Sequence, residues 1–313
     1  MVVSSSGFKR HVDRTSILAD AASVIYTTLI STDDLAGRLT KECVVVDCRF
    51  DLQHPERGRT AYEHAHVPGA VYASLDADLS GARTGANGRH PLPPIAAMVA
   101  TFGRLGIRSG LQVVAYDQDS GMFASRLWWM LRYLGHDTVA VLDGGWAKWT
   151  REQRPTRGGS ESRPATTFTP APRCQWRLTA DDVAPLIGSD EVLLVDARSP
   201  ERFEGKSEPL DRVAGHIPGA ANHHYKDNLA ADGTMLPVEQ LRERFAQSLG
   251  GRAPEQTVMY CGSGVTACQN LLAMAHAGLE GARLYPGSWS EWSADPQRPV
   301  ERGPARNRQL PTR

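Results

Sequence analysis

Several things are scarce in this chain, and each scarcity excludes a class of function. No stretch reaches the ~18 consecutive apolar residues of a membrane-spanning helix; the longest approach, Ser16 to Ile30, is interrupted by Asp20, Ser23 and threonines. An excess of one charge is missing too: 35 Lys and Arg face 35 Asp and Glu, a formal net charge of +0. That balance argues against nucleic acid or an anionic membrane as a partner. The five cysteines, Cys43, Cys48, Cys174, Cys261 and Cys268, include no CxxC pair. Neither a disulfide ladder nor a zinc spacing is therefore present, and a reducing, cytoplasmic setting is expected. No metal cluster or nucleotide-binding loop is evident, so no dissociable cofactor is expected. Lys9, Arg10 and Arg14 are not followed by an apolar core and a small-residue cleavage site, which makes residues 1–20 an N-terminal arm rather than a processed signal.

What the chain does contain is itself, twice. Val44-Val45-Val46-Asp47-Cys48-Arg49 returns as Leu193-Leu194-Val195-Asp196-Ala197-Arg198. His66-Val67-Pro68-Gly69-Ala70 returns as His216-Ile217-Pro218-Gly219-Ala220, and Gly145-Trp146-Ala147-Lys148-Trp149 as Ser288-Trp289-Ser290-Glu291-Trp292. Three markers in one order at a nearly constant offset mean duplication. Between the copies, Arg154 to Arg173 is rich in Pro, Gly, Ser and Thr and reads as an extended linker. The expected organisation is a first domain over 21–153, the linker over 154–173, a second domain over 174–300 and a tail over 301–313.

Each copy alternates short β-branched runs with helical patterns. In the first these runs are Val44 to Asp47, Ala70 to Ala73, Val113 to Tyr116 and Val139 to Leu142, with helices expected over Ile95 to Leu105 and Ala124 to Leu134. The pattern predicts an α/β fold, a mainly parallel sheet with helices on both faces, made twice. Ser31 with Asp34, and Thr179 with Asp182, mark helix starts at equivalent points.

Duplication supplies an internal control: residues kept in both copies serve the fold, and those found in one copy are candidates for function. Asp47 with Arg49, Asp196 with Arg198 and the four tryptophans fall in the first group. The sharpest difference lies after the central strand, where Cys261-Gly262-Ser263-Gly264-Val265-Thr266 stands against Asp117-Gln118-Asp119-Ser120-Gly121-Met122. A cysteine at the C-terminal end of a parallel strand, followed by Gly-x-Gly and a helix, sits where such folds bind ligands. Small residues let the loop curl with its N–H groups inward, and the helix adds its positive end, so an anionic sulfur is favoured there. A buried structural thiol would not require two glycines before a helix. Cys268, two turns into that helix, reads as core, with a redox partner for Cys261 as the lesser alternative. A phosphatase loop of the Cys-x5-Arg kind is excluded, because Ala267 stands where the phosphate-binding arginine is needed.

Strand, Cys-Gly-Ser-Gly-Val-Thr loop, helix, paired His-x-Pro-Gly motifs and the closing Gly287-Ser288-Trp289 together resemble the tandem-domain sulfurtransferases of the rhodanese type. The likeness runs from about Thr32 to Pro299 and is stronger to the mercaptopyruvate-using members than to the thiosulfate-using ones, which carry basic residues after the cysteine. It implies a catalytic second half and a non-catalytic first half that completes the cleft. It also implies a small-molecule sulfur donor, a Cys261 persulfide, and a thiol acceptor such as thioredoxin or a low-molecular-weight thiol, or cyanide. Cys261 and Ser263 are then the catalytic residues, with Gly262, Gly264, Val265 and Thr266 completing the loop. Arg202 matches a substrate arginine of the family, and Arg212 is assigned to a second one in a shorter segment. Some members use a Ser-His-Asp relay; His66 is the histidine matched to it, although Gln53 and His54 stand where its acid is expected and a structural role for the repeated motif competes. A thiosulfate:cyanide sulfurtransferase and a non-enzymatic persulfide carrier are the alternatives.

Overall fold

Val44, Val45 and Val46 form an unbroken β-branched run, and a strand with both faces buried is the way such a run escapes water. In the computed structural model, which describes residues 24–39 and 43–305, that run is the second strand of a five-stranded parallel sheet. Its strands are β1 (Leu29–Ile30), β2 (Cys43–Asp47), β3 (Val71–Tyr72), β4 (Gln112–Tyr116) and β5 (Val139–Leu142), in the order β1-β5-β4-β2-β3. The second half forms β6 (Leu193–Asp196), β7 (Ala221–Asn222), β8 (Thr257–Tyr260) and β9 (Arg283–Leu284), all parallel, in the order β7-β6-β8-β9. Val44 pairs with Val113 as Leu193 pairs with Thr257. The two sheets are copies of one plan.

The helices follow the same duplication. In the first half they are α1 (Thr32–Ala36), α2 (Glu56–His64), α3 (Ile95–Arg104), α4 (Ala124–Tyr133) and α5 (Gly145–Arg151). In the second they are α6 (Ala180–Val183), α7 (Pro200–Phe203), α8 (Val238–Leu249), α9 (Thr266–His276) and α10 (Ser288–Trp292). Ser31 caps α1 by accepting the Asp34 N–H, and Thr179 and Asp182 form a reciprocal capping box on α6, as their spacing predicted.

Shared features are structural in both copies. Arg49 grips Asp47 and Arg198 grips Asp196, each with a shortest contact of 2.6 Å and all four side chains buried. Trp289, like Trp292, is fully buried; its Nε1 donates to Val213 O at 2.9 Å, so it packs the fold rather than lining an open cleft. Residues 154–173 run without helix or strand but are fastened to the first half: Phe168 packs on Phe102, Thr166 N–H donates to Gly103 O, and Ala171 N–H to Leu134 O.

The halves meet where α4 packs on α9, and one apolar cluster runs through both, from Val44 and Trp129 to Leu272 and Leu284. Every residue of α4 is buried, as an all-round covered helix requires. Among the described residues no helix is long and apolar enough to cross a membrane. The expected arm over 1–20 and positions 306–313 of the expected tail lie outside the described residues.

Candidate active site

Cys261 follows β8 directly and is 2% exposed. Its loop is braced from beneath by the start of α10: Cys261 N–H donates to Ser288 Oγ at 3.0 Å, while Trp289 N–H and Ser290 N–H donate to the carbonyls of Cys261 and Gly262, each at 2.9 Å. Gly264 holds φ +73°, and a Cβ there would lie 2.3 Å from Pro286 O, so no side chain fits. Val265 is buried at the cap of α9 and Thr266 opens the helix. The loop therefore turns tightly into a helix N-terminus, the geometry that favours an anion.

The first half shows what this geometry accepts. At the position of Cys261 stands Asp117, fully buried, whose carboxylate receives the N–H groups of Asp119 (3.2 Å), Gly121 (2.9 Å), Phe123 (2.7 Å) and Ala124 (3.1 Å). Burial nevertheless pushes this carboxyl up to about 6, against the hydrogen bonds from Ala124, Gly121 and Phe123. The first half fills its own cradle with a side-chain carboxyl group.

Ser263 Oγ lies 2.8 Å from His90 Nδ1, and His90 Nε2 faces Asp76 Oδ1 at 3.5 Å. Burial, with Arg126, Arg83 and Arg89 adding to it, pushes His90 down to about 3, so the imidazole is neutral. With Asp76 facing Nε2, we assign the proton there, which leaves Nδ1 to accept the Ser263 hydroxyl. A serine, a histidine and an aspartate thus line up beside Cys261, but the histidine is not His66. His66 is fully buried, stacked on Tyr62 with Nδ1 donating to Tyr62 O at 2.8 Å. His216 does the same on Phe203, also at 2.8 Å. The His-x-Pro-Gly histidine is one structural feature made twice, and the expectation for His66 is corrected.

Two arginines face the loop from above. A Cβ added to Gly262 would sit 2.8 Å from Arg89 Nη2 and 3.6 Å from both terminal nitrogens of Arg202. Arg202 stands in the last turn of α7. Its Nη2 and Nε hold Glu208 at 2.7 and 3.2 Å, with Asp211 at 3.5 Å. Arg89 comes from the other half and pairs with Asp211. Burial pushes the Asp211 carboxyl up, Glu208 adds to this, and Arg89 and Arg202 oppose it. Arg212, the second arginine expected from sequence, is exposed, and the atoms nearest to a Cβ at Gly262 belong to Arg89 and Arg202.

Arg89 and His90 were missed, although the comparison of copies carried the signal. Gly88-Arg89-His90-Pro91 precedes α3, whereas the stretch before α8 reads Gly233-Thr234-Met235-Leu236, with neither basic residue. Cys268 is buried core, its Sγ donating to Gly264 O at 3.3 Å. Burial pushes that thiol up to about 12.

Comparison with known proteins places the chain in one family. The rhodanese-like domain family matches residues 31–152 and again 179–295. A Pseudomonas aeruginosa protein described as a probable 3-mercaptopyruvate sulfurtransferase is 45% identical, covering 88% of this chain and 98% of its own. Mouse thiosulfate sulfurtransferase is 32% identical, covering 90% and 97%. The solved structure of 3-mercaptopyruvate sulfurtransferase from Leishmania major superposes with a TM-score of 0.76 at 32% identity, covering 85% of this chain and 74% of that one.

Proposed function

Because the chain belongs to the rhodanese-like domain family, we propose that it transfers sulfur from 3-mercaptopyruvate, through a persulfide on Cys261, to a thiol acceptor. One observation carries the choice of donor: Ser263, His90 and Asp76 are aligned beside Cys261. A mercaptopyruvate donor leaves as an enolate that must be protonated, whereas the sulfite released from thiosulfate needs no proton, so a proton-handling group at the thiol suits the former.

The Cys261 thiolate attacks the donor's sulfur; the new S–S bond forms as the donor's C–S bond breaks, and the electron pair leaves on the pyruvate enolate. Ser263 and His90 manage the proton that converts the enolate to pyruvate. Arg202 and Arg89 hold the carboxylate, since a guanidinium offers two parallel hydrogen bonds to it. In the second half-reaction an acceptor thiolate, that of thioredoxin or a low-molecular-weight thiol, takes the outer sulfur and releases the Cys261 thiolate. The catalytic unit is residues 174–300 and its non-catalytic partner 21–153. A cytoplasmic setting accords with five free cysteines, of which Cys261 must be kept reduced.

The test compares kcat/KM for mercaptopyruvate with a thiol against thiosulfate with cyanide. A value about tenfold or more in favour of mercaptopyruvate, a difference of ~1.4 kcal/mol in transition-state stabilisation, is expected. The same margin in favour of thiosulfate overturns the donor. Transfer that survives Cys261→Ser overturns the nucleophile.

A further inference from the structure

Arg126 lies on α4 with none of its surface exposed. Its guanidinium donates to three main-chain carbonyls: Nη1 to Gly264 at 2.9 Å, Nη2 to His90 at 3.2 Å, and Nε and Nη2 to Leu79 at 3.4 Å. No carboxylate forms an ion pair with it among the described residues; the anion-forming groups that act on its charge are the thiols of Cys268 and Cys261. A guanidinium keeps its proton at any working pH, and burying it without a counter-charge is costly. The carbonyls engage all three of its nitrogens but leave its charge uncompensated.

The repeat shows that the fold does not demand this cation. Gln269 holds the equivalent place in α9, five residues after the left-handed Gly264 as Arg126 is five after the left-handed Gly121, and its Oε1 accepts from Asn228 Nδ2 at 2.9 Å within its own half. Only the first half carries an arginine here, and it reaches across the junction to the cysteine loop of the second. That loop, Cys261 to Thr266, has no basic side chain of its own.

We propose that Arg126 is the fixed counter-cation of the Cys261 sulfur, stabilising the thiolate before transfer and the terminal persulfide anion after it. The charge comes from the protein side of the loop, which leaves Arg89 and Arg202 on the open side for the donor. Cys268 stays a thiol, donating to Gly264 O. This inference rests on the reading of Cys261 as the sulfur carrier and explains how a Gly-Ser-Gly loop holds an anion without a lysine or arginine in it.

The experiment follows alkylation of Cys261 by iodoacetamide against pH, without any sulfur donor, by peptide mass spectrometry of the full chain. Arg126→Gln keeps neutral donors for the carbonyls and drops the charge; Arg126→Lys keeps the charge and drops donors. Circular dichroism and melting check that both fold. Arg126→Gln is expected to raise the pH of half-maximal alkylation by about one unit or more, a tenfold loss of reactive sulfur on the rising limb, and Arg126→Lys by clearly less. A folded Gln variant with an unmoved profile, or a Lys variant displaced as far as Gln, reduces Arg126 to a bridge between carbonyls and overturns the proposal. A further measurement on the unaltered protein needs no variant: a buried cation is poorly screened, so the profile stays in place between about 0.05 and 1 M KCl. A rise approaching one unit assigns the charge to the solvent-facing Arg89 and Arg202 and overturns the proposal. Because no donor is present, failure of the sulfur-carrier reading is seen separately, as transfer that survives Cys261→Ser.

Discussion

The hydroxyl of Ser288 accepts the backbone N–H of Cys261 at 3.0 Å while Ser288 itself holds φ +55°. The equivalent residue of the first half is Gly145, at φ +54° and without a hydroxyl. A non-glycine residue at positive φ costs ~1 kcal/mol or more, and here that strain is offset by a partner for the N–H of the candidate nucleophile. Ser288 Oγ also donates to Tyr285 O at 2.9 Å, which fixes its direction.

Ser288→Ala keeps the strain and leaves a buried N–H unpaired, which costs ~1–3 kcal/mol. Ser288→Gly also loses the hydrogen bond but relieves the strain. Thermal melts should place Ala below Gly and both below the unaltered protein, and sulfur transfer should fall in both because the Cys261 backbone is no longer held.

Ser263→Ala and His90→Gln should each lower turnover of mercaptopyruvate by ~10²-fold or more, the usual scale for a lost general acid or base. Thiosulfate:cyanide transfer measured on the same preparations should fall much less, since no enolate is protonated. His66→Gln should lower stability without this split between donors.

His90 also links stability to pH. Its folded value of about 3 lies below the ordinary 6.5, so the unfolded chain binds the proton more tightly. Its contribution is fully present above about pH 6.5 and is lost as pH falls toward 3. Denaturant titrations across this range should show a shallower acid loss of stability in His90→Gln than in the unaltered chain.

Asp117 has the opposite sign. Its folded value of about 6 lies above 3.8, so the native chain binds this proton more tightly. Its contribution is greatest below about pH 4 and is lost as pH rises through 6. Asp117→Ala should be markedly destabilised, by ~3 kcal/mol or more, because several buried N–H groups lose their acceptor at once. Asp117→Asn should remove the proton-linked slope between pH 4 and 6, as measured by urea unfolding.

Arg202→Met and Arg89→Met should raise KM for mercaptopyruvate by ~10-fold or more, the scale of ~1.5–3 kcal/mol for hydrogen bonds to a charged group. Arg212→Ala, at an exposed position, should change KM less than about twofold. Steady-state kinetics with each variant decides between Arg89 and Arg212.

Sequence by itself determined the duplicated α/β plan, the strand that leads into Cys261 and the loop after it. These are local matters: a β-branched run, a Gly-x-Gly turn and a helix start depend on residues close in the chain, and comparing two copies separates scaffold from chemistry. Tertiary structure alone decided which residues of the first half come to the thiol. Arg89, His90 and Arg126 lie more than a hundred residues from Cys261 and reach it only because α4 packs on α9 and the Gly88–Arg89 turn abuts Gly287 and Ser290. The choice of His90 over His66 is of that kind. His66 satisfies the repeated motif but is committed to Tyr62 within its own half, and contact across a domain junction is set by how two surfaces pack.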